Sequence, residues 1–430
     1  MMVFNGGNNN LYIQINFIII SIFFLLMVKE KNYLAHIKYL FQRNKIPIRL
    51  YFLFIFFLIF QKIPLPLEWL KFLSPEKYDI LEKLEFKGSF NSISLSLTNS
   101  YFSLLNYLTL FLYLIIFKSL FYKKKDIFRF YFFLVFLGAF AASVAIYFYL
   151  IGNPDFLIIN NWSKHAASGF FINRTVFACF LVLCFLSGIE YLKKVNYYRK
   201  NDPNNFFNKI YIRIFILLIT IGIITSFSRV GNFLFISLIL IYILQALYIN
   251  DKKNRLFLIT LILIVLFDIL ILGFYFGSER LVQRYSFLQN ELSEYLPTSK
   301  EFSLTRGGLV KFAFIEFKKF AFFGYGAGGF EFLFKISFKN LSTNYASHAH
   351  SSLIQYIGEF GLIGCIFILS SILFLFINKN FFSFKNFLLC YLLIFILIFD
   401  FSFHIPLIQL IFILLLSINY EQVNKFENKF

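Results

Sequence analysis

Apolar runs long enough to cross a bilayer recur along nearly the whole chain, broken by short basic stretches, and no other feature narrows the possible folds as far. A hydrocarbon core takes about 20 apolar residues of helix. Spans are therefore expected at residues 11–28, 50–61, 100–121, 127–150, 170–192, 210–227, 232–249, 255–276, 353–377, 386–400 and 402–418, about eleven in all, within a range of ten to twelve. With 59% hydrophobic and 15% charged residues and a mean hydropathy of +0.72, the chain lies outside the range of soluble globular proteins. The expected fold class is an all-α polytopic integral membrane protein.

The net charge of +19 would suit nucleic acid if it were spread over one surface, but its distribution excludes that partner. Alternate connections, at residues 29–49, 118–129, 193–213, 252–255, 379–385 and 421–430, hold 24 of the 41 Lys and Arg, with only six acids in them or flanking them. Basic loops face the cytoplasm in polytopic proteins. Residues 62–99, 151–169, 278–350 and 400–404 then lie outside, together with the N-terminus. The opening MMVFNGGNNN has no basic region before its apolar run, so a removed signal peptide is not expected.

Three parts follow: residues 1–277 with the first eight spans, a long outside loop at 278–350, and residues 351–430 with the last spans and a cytoplasmic tail. The first outside segment, 62–99, balances five Lys against five acids and reads as an amphipathic loop on the surface. Within the long loop, TRGGLVKFAFIEFKKF carries Leu309, Phe312, Ala313, Phe317 and Phe320 at helical spacing, and GYGAGGF, from Gly324 to Phe330, breaks that helix with a tight turn. The 67 Phe residues fit an AT-rich coding composition better than an aromatic binding surface. Cys179, Cys184, Cys365 and Cys390 sit inside apolar spans as small hydrophobes, with no disulfide or metal framework.

Ionisable side chains in or at the edge of a span cost several kcal/mol unless a wet cavity or a partner receives them. Arg229, in TSFSRVG, stands on the outer side, where an anchoring arginine is disfavoured, and Ser226, Ser228 and Gly231 leave room around it for an anion. A snorkelling anchor is the plainer alternative. Arg174 opens the fifth span in the same way, and Arg306 opens the loop helix, where an arginine gains from the dipole only if an anion is bound. An ordinary solvated loop charge is the alternative for Arg306. Three outward arginines fit a polyanionic ligand, because the guanidinium fork matches phosphate.

His348 and His350 flank Ala349 just before the ninth span. Nearby sequence offers too few further ligands for a metal site, whereas a histidine at the water boundary suits proton abstraction from a hydroxyl or a structural hydrogen bond. Glu359 lies about 13 Å of helix beyond His350, and is expected to support an arginine on a neighbouring helix rather than orient that histidine. Asp400 and His404, in IFDFSFHIPL, mark the hairpin between the last two spans, as helix caps or as cavity lining. Asp268, deep in the eighth span, is the best argument for the alternative of a polytopic transporter with an intramembrane relay.

Taken in order, these motifs resemble the O-antigen ligase and polymerase superfamily of polytopic glycosyltransferases, especially its exopolysaccharide-type members. The elements are IPLPLEWLKFLSP followed by SLSLT, GFFINRTVFA, SFSRVG, TRGGL followed by FFGYGAGGF, HAHSSLIQYIGEFGLIG and DFSFHIPL, spread over about residues 57–418. Ser351 stands where asparagine is usual, and Thr175-Val176 where Asn-His is common. The resemblance implies a bacterial inner-membrane enzyme of polysaccharide or lipopolysaccharide biosynthesis. It would move a glycan from undecaprenyl diphosphate to a hydroxyl of a saccharide, lipid A core or protein acceptor at the periplasmic face. Arg229 and Arg306 would bind the diphosphate, and His350 would be the general base across a cavity from them. Arg174, His348, Glu359, Asp400 and His404 would line the substrate site. Guanidiniums can stabilise a diphosphate leaving group, so a metal-independent, inverting displacement with no cofactor is expected.

Overall fold

The computed structural model describes residues 4–121, 123–154, 165–198, 204–249, 263, 305–338, 345–376 and 383–418. Asp268 lies outside the described residues, as does all of the expected eighth span except residue 263. In chain order the helices are α1 (Asn10–Lys29), α2 (Lys31–Arg43), α3 (Lys45–Phe60), α4 (Leu67–Leu73), α5 (Pro75–Lys83), α6 (Leu97–Leu120), α7 (Lys124–Leu150), α8 (Arg174–Tyr198), α9 (Asn204–Thr225), α10 (Arg229–Ile249), α11 (Arg306–Lys319), α12 (Phe330–Ser337), α13 (Ser352–Phe376), α14 (Phe384–Phe399) and α15 (Pro406–Ser417). Seven of them, α1, α6 to α10 and α13, are long and apolar enough to cross a membrane, and α14 and α15 are shorter apolar helices. The chain is thus an all-α polytopic membrane protein.

Several boundaries shift by four to six residues, as at the starts of α8 and α9, at 174 and 204 rather than 170 and 210, and two shifts change how a segment reads. The basic stretch 29–49 is not a plain loop: KNYLAHIKYLFQR forms α2, with Ile37 buried among exposed basic residues, and α3 already begins at Lys45. The last span starts four residues later than expected, because Ser402–His404 form a 3-10 turn before Pro406 opens α15.

One half of the molecule is built around α8, which packs against α7, α9, α10 and α15 and has its whole apolar window buried. Lipid is as apolar as leucine, so helices in a bilayer associate through close contact at small residues. The sequence supplies these at the crossings. Gly138 of α7 faces Cys184, Gly188 of α8 faces Ile216 and Val135, Gly222 of α9 faces Ala142 and Leu181, and Gly231 of α10 faces Ala178.

The other half joins α3, α6 and α13, and its backbone is irregular. Helix α13 is broken at Gly361, at φ 62°. The Gly-rich segment after α11 is spliced into that break. Tyr325 and Gly326 donate their N–H groups to the carbonyls of Gly358 and Glu359 at 3.0 and 3.1 Å, while Leu362 and Ile363 donate to Ala321 and Phe322 at 2.8 and 3.2 Å. Irregular backbone at membrane depth persists only where protein satisfies it, and here two broken segments satisfy each other. Gly324 and Gly361 both have positive φ and approach each other's backbone too closely for a side chain.

The first outside loop closes over this splice. A two-residue antiparallel pair, Leu65–Pro66 with Phe90–Asn91, folds it back on itself. Ser92, Ser94 and Ser96 are then buried rather than lying on the surface as expected. Their hydroxyls find partners within the loop, Leu95 N–H donates to the Tyr325 carbonyl at 2.9 Å, and the Ser100 hydroxyl donates to that of Ala327 at 2.9 Å. Buried serines are tolerable because each hydroxyl is bonded.

Candidate functional site

The expected loop helix forms as α11. Thr305 caps it by accepting the Gly308 N–H at 3.3 Å, so Arg306 is its first residue. Leu309, Phe312, Ala313 and Phe320 are buried, while Phe317 is half-buried. The face they form packs with Phe330, Phe334 and Ala349. Ala349 is therefore the anchor of the His-Ala-His segment: its side chain sits in the loop core, with a histidine on each side of it.

His350 has a left-handed backbone, φ 59°. Strain of this kind in a non-glycine residue costs about 1–3 kcal/mol and gathers at functional sites. The Nδ1 atom of His350 is buried and has no hydrogen-bond partner among the described residues. Burial, then the positive charge of Arg306, then His348, lower its pKa from the ordinary value to about 3. The ring is thus neutral at physiological pH.

His348 lies flat on Phe401, with ring centroids 4.6 Å apart and planes at 9°. His350 meets the same phenylalanine edge-on at 5.1 Å, and His404 is tilted against His348 at 5.6 Å. Burial lowers the pKa of His348 to about 4 and holds His404 well below its ordinary value. Phe401 is a residue that sequence reasoning passed over; it follows Asp400 in the hairpin and is one more Phe among many.

Asp400 ends α14 and organises the hairpin. One carboxylate oxygen accepts the Ser402 N–H at 2.9 Å and the Ser402 hydroxyl, and its carbonyl accepts the N–H and hydroxyl of Ser352 at 3.0 and 2.9 Å. Its other carboxylate oxygen, Oδ1, is buried with no hydrogen-bond partner among the described residues. Burial raises the pKa of Asp400, opposed first by the charge of Arg306. Arg306 thus acts electrostatically on both His350 and Asp400, which sequence distance alone could not reveal.

Among the described residues Glu359 is paired with no arginine, contrary to expectation. Its Oε1 accepts from Gln355 Nε2 at 2.7 Å and lies 3.9 Å from His404 Nε2. The helix geometry explains this: Gln355 is four residues earlier on the same face, and α13 brings that face under the hairpin. Tyr356 stacks on His404 at 3.9 Å and accepts from Gln409 at 2.8 Å. Gln355 and Tyr356 were missed by sequence reasoning, although the spacing of Gln355 and Glu359 was a readable signal.

Arg229 is the first residue of α10, and Arg174 the first of α8. Both helices begin at the end of the bundle that carries the hairpin. Phe233, one turn after Arg229, stacks on Phe395 of α14 at 4.6 Å, and Cys179, five residues after Arg174, meets Asp400 and Ser402. His348, His350, Glu359, Asp400 and His404 are thus brought into one cluster under the influence of Arg306, with Arg229 and Arg174 at the same end. Among the described residues no group of three or more His, Cys, Asp and Glu could hold a metal ion. A cleft lined by Leu120, Phe121, Asp126, Arg129, Phe130 and Phe133 opens at the opposite, basic end.

Fold and site together define a multi-pass membrane protein with a polar, histidine-rich site at one end of its helices. Residues 214–369 match the model of the O-antigen ligase family. That match, over about a third of the chain, supports membership of the O-antigen ligase and polymerase superfamily and, in general terms, a glycosyltransferase-type activity. No curated protein and no solved structure matches it.

Proposed function

We propose that the protein transfers a glycan from undecaprenyl diphosphate to an acceptor hydroxyl at the periplasmic face of the bacterial inner membrane, without a metal ion and with inversion. The observation that supports this reading is that the charge of Arg306 reaches both His350, whose Nδ1 is buried and has no hydrogen-bond partner among the described residues, and Asp400.

In this reading the acceptor oxygen attacks the anomeric carbon while His350 removes its proton. The bond from that carbon to the diphosphate oxygen breaks, and the negative charge gained by the leaving group rests on Arg306 and Arg229. Arg174, His348, Glu359, Asp400 and His404 would shape the substrate site around these groups. Binding and basicity are then coupled: a diphosphate on Arg306 offsets the positive charge that depresses His350, so the imidazole becomes a stronger base when the donor is in place.

The test is transfer by the purified protein from a lipid diphosphate-linked saccharide. His350→Ala is expected to lower transfer about 100-fold or more, Arg306→Ala and Arg229→Ala comparably, and excess EDTA not at all. Full transfer by His350→Ala would remove the proposed base, and complete chelator sensitivity would remove the metal-free mechanism. A transporter is the second reading, favoured by the broken helix at Gly361, since broken helices line transport sites. It expects damage from Asp268→Asn and none from His350→Ala.

A further inference from the structure

The polar atoms of the HAHSSLIQ segment assign hydrogen-bond roles that the family resemblance leaves open. Gln355 is buried and its side chain makes three contacts. Oε1 accepts the Ala349 N–H at 3.0 Å, Nε2 donates to Glu359 Oε1 at 2.7 Å, and Nε2 lies 3.5 Å from His348 Nδ1. The first contact fixes the orientation of the amide, because an N–H can be met only by the carbonyl end. With Oε1 committed to Ala349, the remaining hydrogen of Nε2 faces His348. An amide nitrogen only donates, so His348 Nδ1 must be the ring atom without a proton.

We infer that Gln355 is a positioning residue that holds His348 as the Nε2–H tautomer, so that His348 serves substrate as a hydrogen-bond donor and leaves proton abstraction to His350. The step from tautomer to substrate rests on the proposed transferase reading, whereas the tautomer itself does not. Among the described residues the one hydrogen-bond contact of the His348 ring is the one with Gln355 at Nδ1, and the residue as a whole is half-buried, so its Nε2 proton is left for a ligand oxygen. The ring is fixed in orientation by lying flat on Phe401.

His404 provides an internal contrast. The single proton of the Ser352 hydroxyl goes to the Asp400 carbonyl at 2.9 Å, so Ser352 Oγ can only accept from His404 Nδ1, at 3.2 Å. His404 is therefore the Nδ1–H tautomer. Two neighbouring histidines, with ring centroids 5.6 Å apart, are set to opposite tautomers by Gln355 and Ser352.

The experiment is nitrogen NMR of the full-length, detergent-solubilised protein with labelled histidine. The chain has five His, so single substitutions assign every ring. At pH 7 the wild-type protein is expected to show His348 protonated on Nε2 and His404 protonated on Nδ1. His348 protonated on Nδ1 in the wild-type protein would overturn the inference without recourse to any Gln355 variant. Gln355→Glu keeps an acceptor for Ala349 but cannot donate to His348. It should move the His348 proton to Nδ1 or raise its titration midpoint, and leave the His404 tautomer as it was. A folded Gln355→Glu protein with unchanged His348 signals would equally overturn it. Transfer by Gln355→Glu is expected to fall about tenfold or more with an altered pH profile. If the wild-type protein transfers no glycan, the transferase reading fails while the tautomer assignment is judged on the spectra alone.

Discussion

The half of the molecule around α8 and the half around α13 solve the problem of folding in a bilayer differently. In the first, helices are continuous and meet at Gly138, Gly188, Gly222 and Gly231, so cohesion comes from close apolar contact. In the second, a helix is interrupted at Gly361 and an irregular loop fills the gap through reciprocal backbone hydrogen bonds. All the clustered histidines, Glu359, Gln355 and Asp400 belong to the second half or border it. Continuous helices leave no backbone groups and little space for chemistry. An interrupted helix allows loops to bring polar side chains together at membrane depth, provided every exposed backbone group is met.

The largest effect that would test this contrast is on activity. His350→Ala should reduce glycan transfer about 100-fold or more with little change in thermal unfolding in detergent, since the substitution leaves the Ala349 anchor in place. Unaltered transfer would detach the chemistry from the spliced half. Gly361→Ala comes next. It forces a side chain into a left-handed backbone, at about 1–3 kcal/mol, and against the Phe322 carbonyl, so both thermal stability and transfer should fall. Stability equal to wild type would mean that the splice is not tightly held.

In the continuous half, Gly222→Ala is expected to cost about 1–3 kcal/mol by overpacking, because the new methyl group would lie 2.8 Å from Ala142 Cβ and Leu181 Cδ1. The protein should keep its transfer activity at low temperature. Loss of transfer with unchanged stability would show that the two halves are functionally coupled. Asp268→Asn should have no effect on transfer, and a strong effect would revive the relay reading.

The pH dependence of stability follows from the neutral histidines. His348 and His350 have folded pKa values of about 4 and about 3, below the ordinary value near 6.5. As pH falls below about 6.5 the unfolded chain takes up protons that the folded chain refuses. Their contribution is therefore fully present above that pH and declines as pH drops towards 4 and then 3. Thermal unfolding of His348→Phe should depend less steeply on pH between 6.5 and 4 than that of wild type; equal slopes would place the titrating groups elsewhere.

Much of this architecture was legible because the bilayer imposes a length and a charge rule on any chain that crosses it. The spans, the loop helix at Arg306 with its buried Leu309 and Phe312, and the glycine turn after it follow from local patterns of one residue type. What could not be read was adjacency between distant segments. Charge pairing points Glu359 towards an arginine, and i, i+4 spacing alone points to its actual partner Gln355, but nothing along the sequence shows that His404 approaches it to 3.9 Å. The serines of 92–96 looked like a solvated surface because polarity alone does not reveal that their hydroxyls find partners inside the fold.

The amino-acid sequence by itself determined that the chain is a multi-pass helical membrane protein and which residue types were left over for chemistry, since hydropathy and charge act locally and add along the chain. Only the tertiary structure decided which of those residues meet. The break at Gly361, the hairpin at Asp400 and the left-handed backbone of His350 depend on hydrogen bonds between segments far apart in sequence. The tautomers of His348 and His404 are set by partners that no pattern of spacing identifies.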